Sequence, residues 1–462
     1  MIKKNVAFFK AAGKRLFHSL GIESYRTKNI SLHVLLSILY KGGSILIGFL
    51  MIPLTIRFLD NENYGVWLTL SSFISWFTFF DIGLGNGLRN KFSESVSKSD
   101  FDSARSYVST TYFTVLFVSL LLLFAFLIAN IFVDWSGVFN ISEKTGKNLN
   151  ILMPIVFGLF CIQLVLKLVA TIYTADQHHS MQGKLNFFIQ LAGLISIVIL
   201  NQTSKASLFL YGFVISIIPV LVLLVFNFLA FKGRYKFYRP SLRFCKTTYL
   251  KDVFGLGAGF FIIQLAGVIL FTTDNFIITQ LFGASEVVPY NISYKYFATV
   301  NMLLSIVFTP YWSSITNAFT QGDYEWIKRA MKNLTIMSLS SVLVIAVMIF
   351  FSDKVYHFWI GDKVHVPMKL TFFMGLFFMI YISYSPFTYF INGTGKIKLQ
   401  MLTVVLMSLV NIPLAIFLAS YKNMGVSGVI FSTMICLLPH AILLPVQYSK
   451  IIRNKAKGIW NQ

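Results

Sequence analysis

The sequence predicts an all-α polytopic membrane protein with twelve transmembrane helices in two six-helix bundles, related by a pseudo-two-fold axis along the membrane normal. The 462 residues are 56% hydrophobic and 12% charged, whereas soluble domains carry about 25% charged residues. The mean hydropathy is +0.71. Twelve apolar runs approach the length of about 20 residues that crosses a bilayer, and the most basic loop, 232–251, stands between the sixth and seventh runs.

The twelve runs, called spans 1 to 12, are separated by short polar loops. They fall at residues 35–58, 64–88, 107–133, 150–175, 184–201, 206–231, 253–282, 287–318, 331–352, 368–391, 399–420 and 425–448. Span 5 is the shortest. Even the largest loop on the predicted outer side, 134–149, has no room for a folded domain, so we expect the protein to act within the membrane.

The distribution of Lys and Arg predicts the orientation. Of the 39 Lys and Arg residues, 28 fall in the tails and loops on one side of the predicted membrane, 8 fall on the other side and 3 lie within spans. Because cytoplasmic loops are enriched in Lys and Arg, both termini are predicted to be cytoplasmic. The same distribution explains the net charge of +22 without nucleic-acid binding.

An internal repeat supports the division into two halves. SKSDFDSAR (97–105) matches TQGDYEWIK (320–328) at an offset of 223 residues. The same offset aligns the outer turns FLDNENYGVW (58–67) and LFGASEVVPY (281–290) in character. Two matches at one offset favour a repeat over chance similarity, and many transporters are built from paired repeats.

The predicted organisation has five parts. They are a basic N-terminal segment (1–30), an N-terminal six-helix bundle (31–231), a basic cytoplasmic linker (232–251), a C-terminal six-helix bundle (252–450) and a cytoplasmic tail (451–462). The basic N-terminal segment is predicted to be either an interfacial helix on the inner leaflet or a disordered tail.

Three motifs resemble a known family. RFLDNENYGVWLTL (57–70), followed by DIGLGNGLRNKF (81–92), is similar to the start of O-antigen and polysaccharide flippases of the multidrug/oligosaccharidyl-lipid/polysaccharide exporter superfamily, and YFINGTGKIKLQ (389–400) is similar to a later motif. The resemblance implies a bacterial inner-membrane flippase that moves undecaprenyl-pyrophosphate-linked oligosaccharide, an O-antigen or capsular repeat unit, to the outer leaflet by alternating access. The motifs leave two alternatives, a carrier that works alone and one that works beside a polysaccharide polymerase and a chain-length regulator.

Four ionisable residues lie within spans, where charge is expensive and usually functional. Asp274 in span 7 and Lys295 in span 8 lie at matching depth, about 12 Å from the outer edge, so they are predicted either to form an ion pair or to contact substrate. Lys41 and Lys167 lie deeper, on polar stripes, and are predicted to form an anion site for the pyrophosphate. For both lysines, snorkelling to the inner interface is the alternative.

Other polar residues complete the predicted substrate site. Gln163, Asn291 and Asn86 are expected to hydrogen-bond the glycan, as are Tyr384 and Asn392. Arg89 is the next candidate for an anion site. The predicted substrate-binding residues are therefore Lys41, Lys167, Lys295, Asp274, Gln163, Asn291, Asn86 and Arg89.

Catalytic chemistry and cofactors are not predicted. The three Cys residues lie far apart without metal-ligand spacing, and no GxxxxGK[ST] phosphate-binding loop is present. A cation-coupled multidrug antiporter of the same superfamily is the nearest alternative, although intramembrane acids are few. A membrane glycosyltransferase or polymerase would need a sizeable outer loop, and a pure scaffold would leave the polar stripes unexplained.

Overall fold

The computed structural model describes residues 27–81, 84–176, 178, 180–250 and 258–462, and these ranges contain helices and no β-strand. The predicted N-terminal interfacial helix lies almost wholly outside them. The helices are Thr27–Phe58 (span 1), Asn61–Ser75 and Leu84–Ser97 (span 2), Phe101–Phe132 (span 3), Glu143–Leu166 and Leu168–Ala175 (span 4), Ser180–Thr203 (span 5), Leu208–Lys232 (span 6), Ala258–Phe282 (span 7), Val287–Thr320 (span 8), Tyr324–Ile360 (span 9), Met368–Thr394 (span 10), Lys398–Ile416 (span 11) and Val426–Ile452 (span 12).

Within the described residues, ten helical segments are long and apolar enough to cross a membrane. Spans 2 and 8 are the two that do not qualify. Span 2 is broken by a 3-10 helix over Trp76–Asp81, and span 8 carries polar residues that lower its hydropathy, such as Asn291, Lys295 and Asn301. The predicted all-α polytopic membrane fold is confirmed.

Spans 3 and 9 begin with the same structure, 223 residues apart. The Asp100 carboxylate accepts a hydrogen bond from the Ser103 N–H at 3.0 Å, and the Asp323 carboxylate accepts one from the Trp326 N–H at 3.0 Å. Such N-caps satisfy donors at the helix start. The residue before each cap has a left-handed backbone, with φ of 61° and 73°. The sequence repeat therefore encodes a shared capped turn.

This turn also has the same backbone hydrogen bonds in both copies. Asp100 N–H donates to the Ser95 carbonyl at 2.9 Å, and Asp323 N–H donates to the Ala318 carbonyl at 2.9 Å. These caps start both helices several residues before the apolar runs begin, so span 9 reaches 37 residues. The predicted starts of these spans, 107 and 331, were late because hydropathy does not register a capped polar turn.

The chain divides into two compact units. Of the described residues, those within 43–268 and 278–287 form the N-terminal unit, and those within 27–42, 269–277 and 288–462 form the C-terminal unit. The end of span 7 and the turn that follows it, Ile278–Val287, thus belong with the N-terminal helices, although they follow the linker in sequence.

Packing and lipid exposure differ strongly among the helices. In the N-terminal unit, Phe157 stacks on Phe126 with ring centroids 4.1 Å apart. The most apolar stretch of span 3 has 17% of its residues buried, against 56% for span 10, so span 10 lies in the core and span 3 presents most of its surface outward. Exposed aromatic side chains such as Phe132 and Phe350 are typical of a lipid-facing surface.

Candidate functional site

Asp274 lies in span 7 within the C-terminal unit and is 2% exposed. Its carboxylate accepts hydrogen bonds from the Tyr290 hydroxyl of span 8 and from the Thr433 hydroxyl of span 12, the latter at 3.3 Å from Oδ2. Over the part of the chain that the structure describes, no ion pair joins Asp274 to Lys295. The predicted ion pair is therefore wrong.

A matching depth in the membrane is not sufficient for an ion pair, because the two side chains must also face each other. Tyr290 occupies the side of span 8 that faces Asp274, and Lys295 follows five residues later. At about 100° per residue, Lys295 lies about 140° around the helix axis from Tyr290. A hydroxyl pair therefore stabilises the Asp274 carboxylate where a cation was expected.

The environment of Asp274 continues into a buried polar network. The Asn411 side chain of span 11 is 0% exposed, and its Nδ2 donates to the Thr433 hydroxyl at 3.0 Å and to the Ser432 hydroxyl at 3.2 Å. The Asn411 Oδ1 is buried without a hydrogen-bond partner among the described residues. A buried carboxylate beside an unsatisfied amide oxygen is costly for stability, which favours a functional role for this cluster.

The side chain of Asn291, predicted to bind glycan, is hydrogen-bonded to another amide side chain. Its Nδ2 donates to the Asn275 Oδ1 at 2.8 Å. Lys295 is partly exposed on the same helix, and its backbone carbonyl accepts a hydrogen bond from the Thr299 hydroxyl at 3.0 Å. Span 8 thus carries one amide bonded within the C-terminal unit and one half-buried lysine.

Lys41 is half-buried in span 1. No carboxylate of the described ranges lies within ion-pair distance of its ammonium group. One helical turn later, the Ser44 hydroxyl is buried without a hydrogen-bond partner in those ranges. Lys41 and Ser44 thus provide a half-buried cation and a buried hydroxyl without a partner in those ranges, in agreement with the polar stripe predicted for this helix.

Lys167 lies at a break in span 4. Helix Glu143–Leu166 ends before it and helix Leu168–Ala175 begins after it. The cause is visible in span 6, where Asn227 Nδ2 donates to the Leu166 carbonyl at 2.8 Å while its Oδ1 accepts from the Tyr112 hydroxyl at 3.1 Å. A side chain inserted into the helical hydrogen-bond ladder interrupts it. Lys167 therefore lies at a local irregularity that the sequence did not reveal.

The remaining predicted residues are placed individually. Gln163 is half-buried one turn before Lys167, and Arg89 is exposed in helix Leu84–Ser97. Asn86 belongs to the same helix, but its side chain lies outside the description. Lys41 and Lys167 fall in different units, so their combination into one anion site stays a prediction.

A polar group in spans 11 and 12 was missed by the sequence reasoning. The His440 ring is 6% exposed, and its Nε2 lies 2.7 Å from the Thr403 hydroxyl and 3.4 Å from the Gln400 carbonyl. Tyr384, predicted to hydrogen-bond glycan, is buried with its ring 6.0 Å from this imidazole. The available signal was an ionisable residue inside an apolar run, which is functional by default.

The motif RFLDNENYGVWLTL contains a close backbone contact. Gly65 of span 2 lies against the backbone of Ala284, in the turn that follows span 7. One turn further, the Thr69 and Thr279 hydroxyls lie 2.7 Å apart, and both residues are 0% exposed. Gln280 adds hydrogen bonds to the Gly137 and Val138 carbonyls. A glycine is required at position 65 because only glycine permits this approach.

Comparison with known proteins agrees with the motifs. A family model described as polysaccharide biosynthesis protein matches residues 28–316, and a second model, MatE, matches residues 260–417. A putative O-antigen transporter of Salmonella typhi is 24% identical over 56% of this chain and 58% of its own length. A putative O-antigen export protein of Yersinia pseudotuberculosis is 20% identical over 77% of this chain and 81% of its own length.

The fold has a counterpart among solved structures. The inward-facing conformation of a multidrug resistance MATE family transporter of the MOP superfamily matches with a TM-score of 0.74 and 14% identity, over 91% of this chain and 98% of that one. At this identity the match concerns the fold. Because the polysaccharide biosynthesis model spans residues 28–316, more than half of the chain, this protein belongs to the polysaccharide biosynthesis protein family.

Proposed function

We propose that this protein is a non-enzymatic flippase that carries an undecaprenyl-pyrophosphate-linked oligosaccharide, an O-antigen or capsular repeat unit, from the cytoplasmic to the outer leaflet of the inner membrane. Family membership is the observation that supports this proposal most directly. The relatives named as O-antigen transporter and export protein agree with it. Both termini are proposed to be cytoplasmic, with a polymerase and a chain-length regulator as partners.

The proposed mechanism gives the lysines the task of offsetting pyrophosphate dehydration. A pyrophosphate that leaves water loses favourable hydration, and a cation in a low-dielectric cavity recovers part of it. Lys41 is half-buried without a carboxylate partner in the described ranges. Lys167 stands between helices Glu143–Leu166 and Leu168–Ala175, and a helix interruption at membrane depth is tolerated where it is buried in protein or lines a cavity.

Charge-removing variants test this mechanism. Lys41→Gln and Lys167→Gln keep side-chain length and polarity, so the protein should still reach the membrane. In a strain whose own flippase is deleted, each variant should restore less surface glycan than the wild type, and the double variant almost none. Lys41→Arg should retain more export than Lys41→Gln because a cation remains, although its planar fork differs from an ammonium.

The matched control is Lys205→Gln, which removes an exposed charge from the loop between spans 5 and 6. It should export glycan normally. Membrane abundance is measured for every variant by immunoblot. Normal glycan export by both intramembrane Gln variants, at normal abundance, would refute the anion site, and complete failure of the wild type to complement any glycan-export strain would refute the flippase.

A cation-coupled multidrug exporter is the second candidate, because of Asp274. This carboxylate is buried and, within the described residues, has hydroxyl partners and no cationic one, as expected of a group that exchanges a coupling cation. Drug resistance of cells that express the protein, lost in Asp274→Asn, would favour this candidate. Glycan export without drug resistance would favour the flippase.

A further inference from the structure

The linker between the two halves has a defined structure over the described residues 232–250. Two 3-10 turns, Lys236–Tyr238 and Leu242–Phe244, lie within it. It contains six Lys or Arg and no Asp or Glu. A loop that served only to set orientation would need these cations and no fixed conformation. The role of these cations in setting the membrane topology therefore does not explain why the linker has a fixed conformation.

One side of the linker is anchored to spans 3 and 4. The Tyr235 hydroxyl donates to the Asp176 carboxylate at 2.8 Å, and the Arg234 Nε lies 2.8 Å from the same oxygen. Burial and then this hydrogen bond raise the pKa of Tyr235, so the phenol stays protonated as a donor. The linker thus begins with two neighbouring residues, Arg234 and Tyr235, bonded to one half-buried carboxylate.

Further anchors follow along span 3. The Ser241 N–H donates to the Ser109 hydroxyl at 3.2 Å, and the Lys246 N–H donates to the Thr110 hydroxyl at 3.1 Å. The Arg105 guanidinium lies over the Phe244 ring, 3.9 Å from its centroid. These contacts hold both 3-10 turns against the end of span 3.

The linker also exposes cations and apolar side chains. Leu242 is 73% exposed, and Phe237 is 50% exposed although the Arg105 guanidinium lies 5.5 Å from its ring centroid. Four exposed cations are interleaved with them, namely Lys236, Arg239, Arg243 and Lys246. Apolar side chains held outward beside cations are unfavourable in water but match a membrane interface, where the chains enter the acyl boundary and the cations meet phosphates.

We propose that residues 236–246, the linker platform, form a docking surface for anionic phospholipid headgroups. Charge complementarity and position identify the occupant. The platform follows the last residue of the span 6 helix within a few positions, so the nearest anionic surface is the bilayer that holds this helix. Insertion of Leu242, the most exposed apolar side chain of the platform, would fix the cations at headgroup depth. This inference does not depend on the transported substrate.

The native cysteines provide a probe for this surface. Cys245 lies within the platform and is exposed, whereas Cys161 and Cys436 are buried. The full-length protein, labelled at Cys245 with a fluorophore, is placed in nanodiscs that contain brominated phosphatidylglycerol or brominated phosphatidylcholine. We expect stronger quenching by the anionic lipid at low salt, and a smaller difference at high salt, because surface charge interactions are screened.

Two variants test the two components of the platform. Arg239→Gln/Arg243→Gln should weaken the apparent affinity for phosphatidylglycerol roughly 25-fold, at about 5-fold per cation. Leu242→Ser should reduce quenching in both lipids, because the label no longer sits as deep. The control, Lys205→Gln/Lys354→Gln, removes two exposed cations elsewhere and should leave quenching unchanged. Unchanged melting temperatures establish that each variant is folded.

Three results would overturn the proposal. They are equal quenching by the two lipids at low salt, loss of the lipid preference in the control variant, and retention of the preference in Arg239→Gln/Arg243→Gln. Displacement of the lipid by poly-glutamate, with no effect of Leu242→Ser, would instead indicate a site for an acidic protein. None of these measurements involves glycan export, so they stand apart from the test of the flippase.

Discussion

The contact of Gly65 with the turn after span 7 gives a sharp stability prediction. In Gly65→Ala, the new Cβ would lie closer than 3.0 Å to the backbone carbonyl of Ala284, a distance that real Cβ atoms essentially never show. The obstacle is backbone and cannot rotate away. Overpacking costs about 1–3 kcal/mol, whereas alanine in a helix gains about 1 kcal/mol over glycine. We therefore expect a net loss of up to about 2 kcal/mol.

The assay is thermal unfolding of the purified protein in detergent, with Gly267→Ala as the control. No atom lies within 4 Å of a Cβ added at Gly267, so that variant should melt at or slightly above the wild-type temperature. Thr69→Val should also lower the melting temperature, by breaking the 2.7 Å hydroxyl pair with Thr279, at about 1 kcal/mol. If Gly65→Ala melts no lower than the wild type, the close packing of this turn on span 2 is refuted.

Three further predictions concern orientation, Asp274 and helix capping. A reporter fused after Lys144 should be external and one after Lys236 internal; the reverse result at either position would overturn the orientation. Because no ion pair joins Asp274 to Lys295 in the described chain, the losses of melting temperature in Asp274→Asn and Lys295→Gln should add in the double variant, and a double variant more stable than either single one would restore the pair. Hydrogen bonds from the first turn of span 3 lower the pKa of Asp100, so its stabilisation is complete above the unfolded pKa and is lost as pH falls through the folded pKa. In Asp100→Asn, the free energy of unfolding should therefore fall less as the pH is lowered than in the wild type. An unchanged pH dependence would count against the cap.

The spans were predictable because each depends on a sum over many residues. Hydropathy averaged along a run tolerates errors at single positions, and the repeat was readable because the capped turn needs an aspartate at one position in each half. By contrast, the partner of Asp274 depends on the rotation of span 8 about its axis. Tyr290 and Lys295 are separated by about 7.5 Å along the helix axis and by about 140° around it, and hydropathy carries no information on that angle.

The break at Lys167 was unpredictable for a related reason. It is caused by Asn227, which lies 60 residues away in the sequence and reaches the Leu166 carbonyl through packing. The apolar run itself contains no Pro or Gly at the break. Sequence reasoning thus identified Lys167 as an intramembrane cation but could not find the irregular backbone around it.

The paired turns before spans 3 and 9 differ at their left-handed position. One copy has glycine at the left-handed position, Gly322, where the backbone is relaxed, and the other has Ser99 with φ of 61°. A left-handed residue other than glycine costs about 1–2 kcal/mol. Ser99 therefore holds strain at the start of span 3 that Gly322 avoids at the start of span 9, and Ser99→Gly should relieve it.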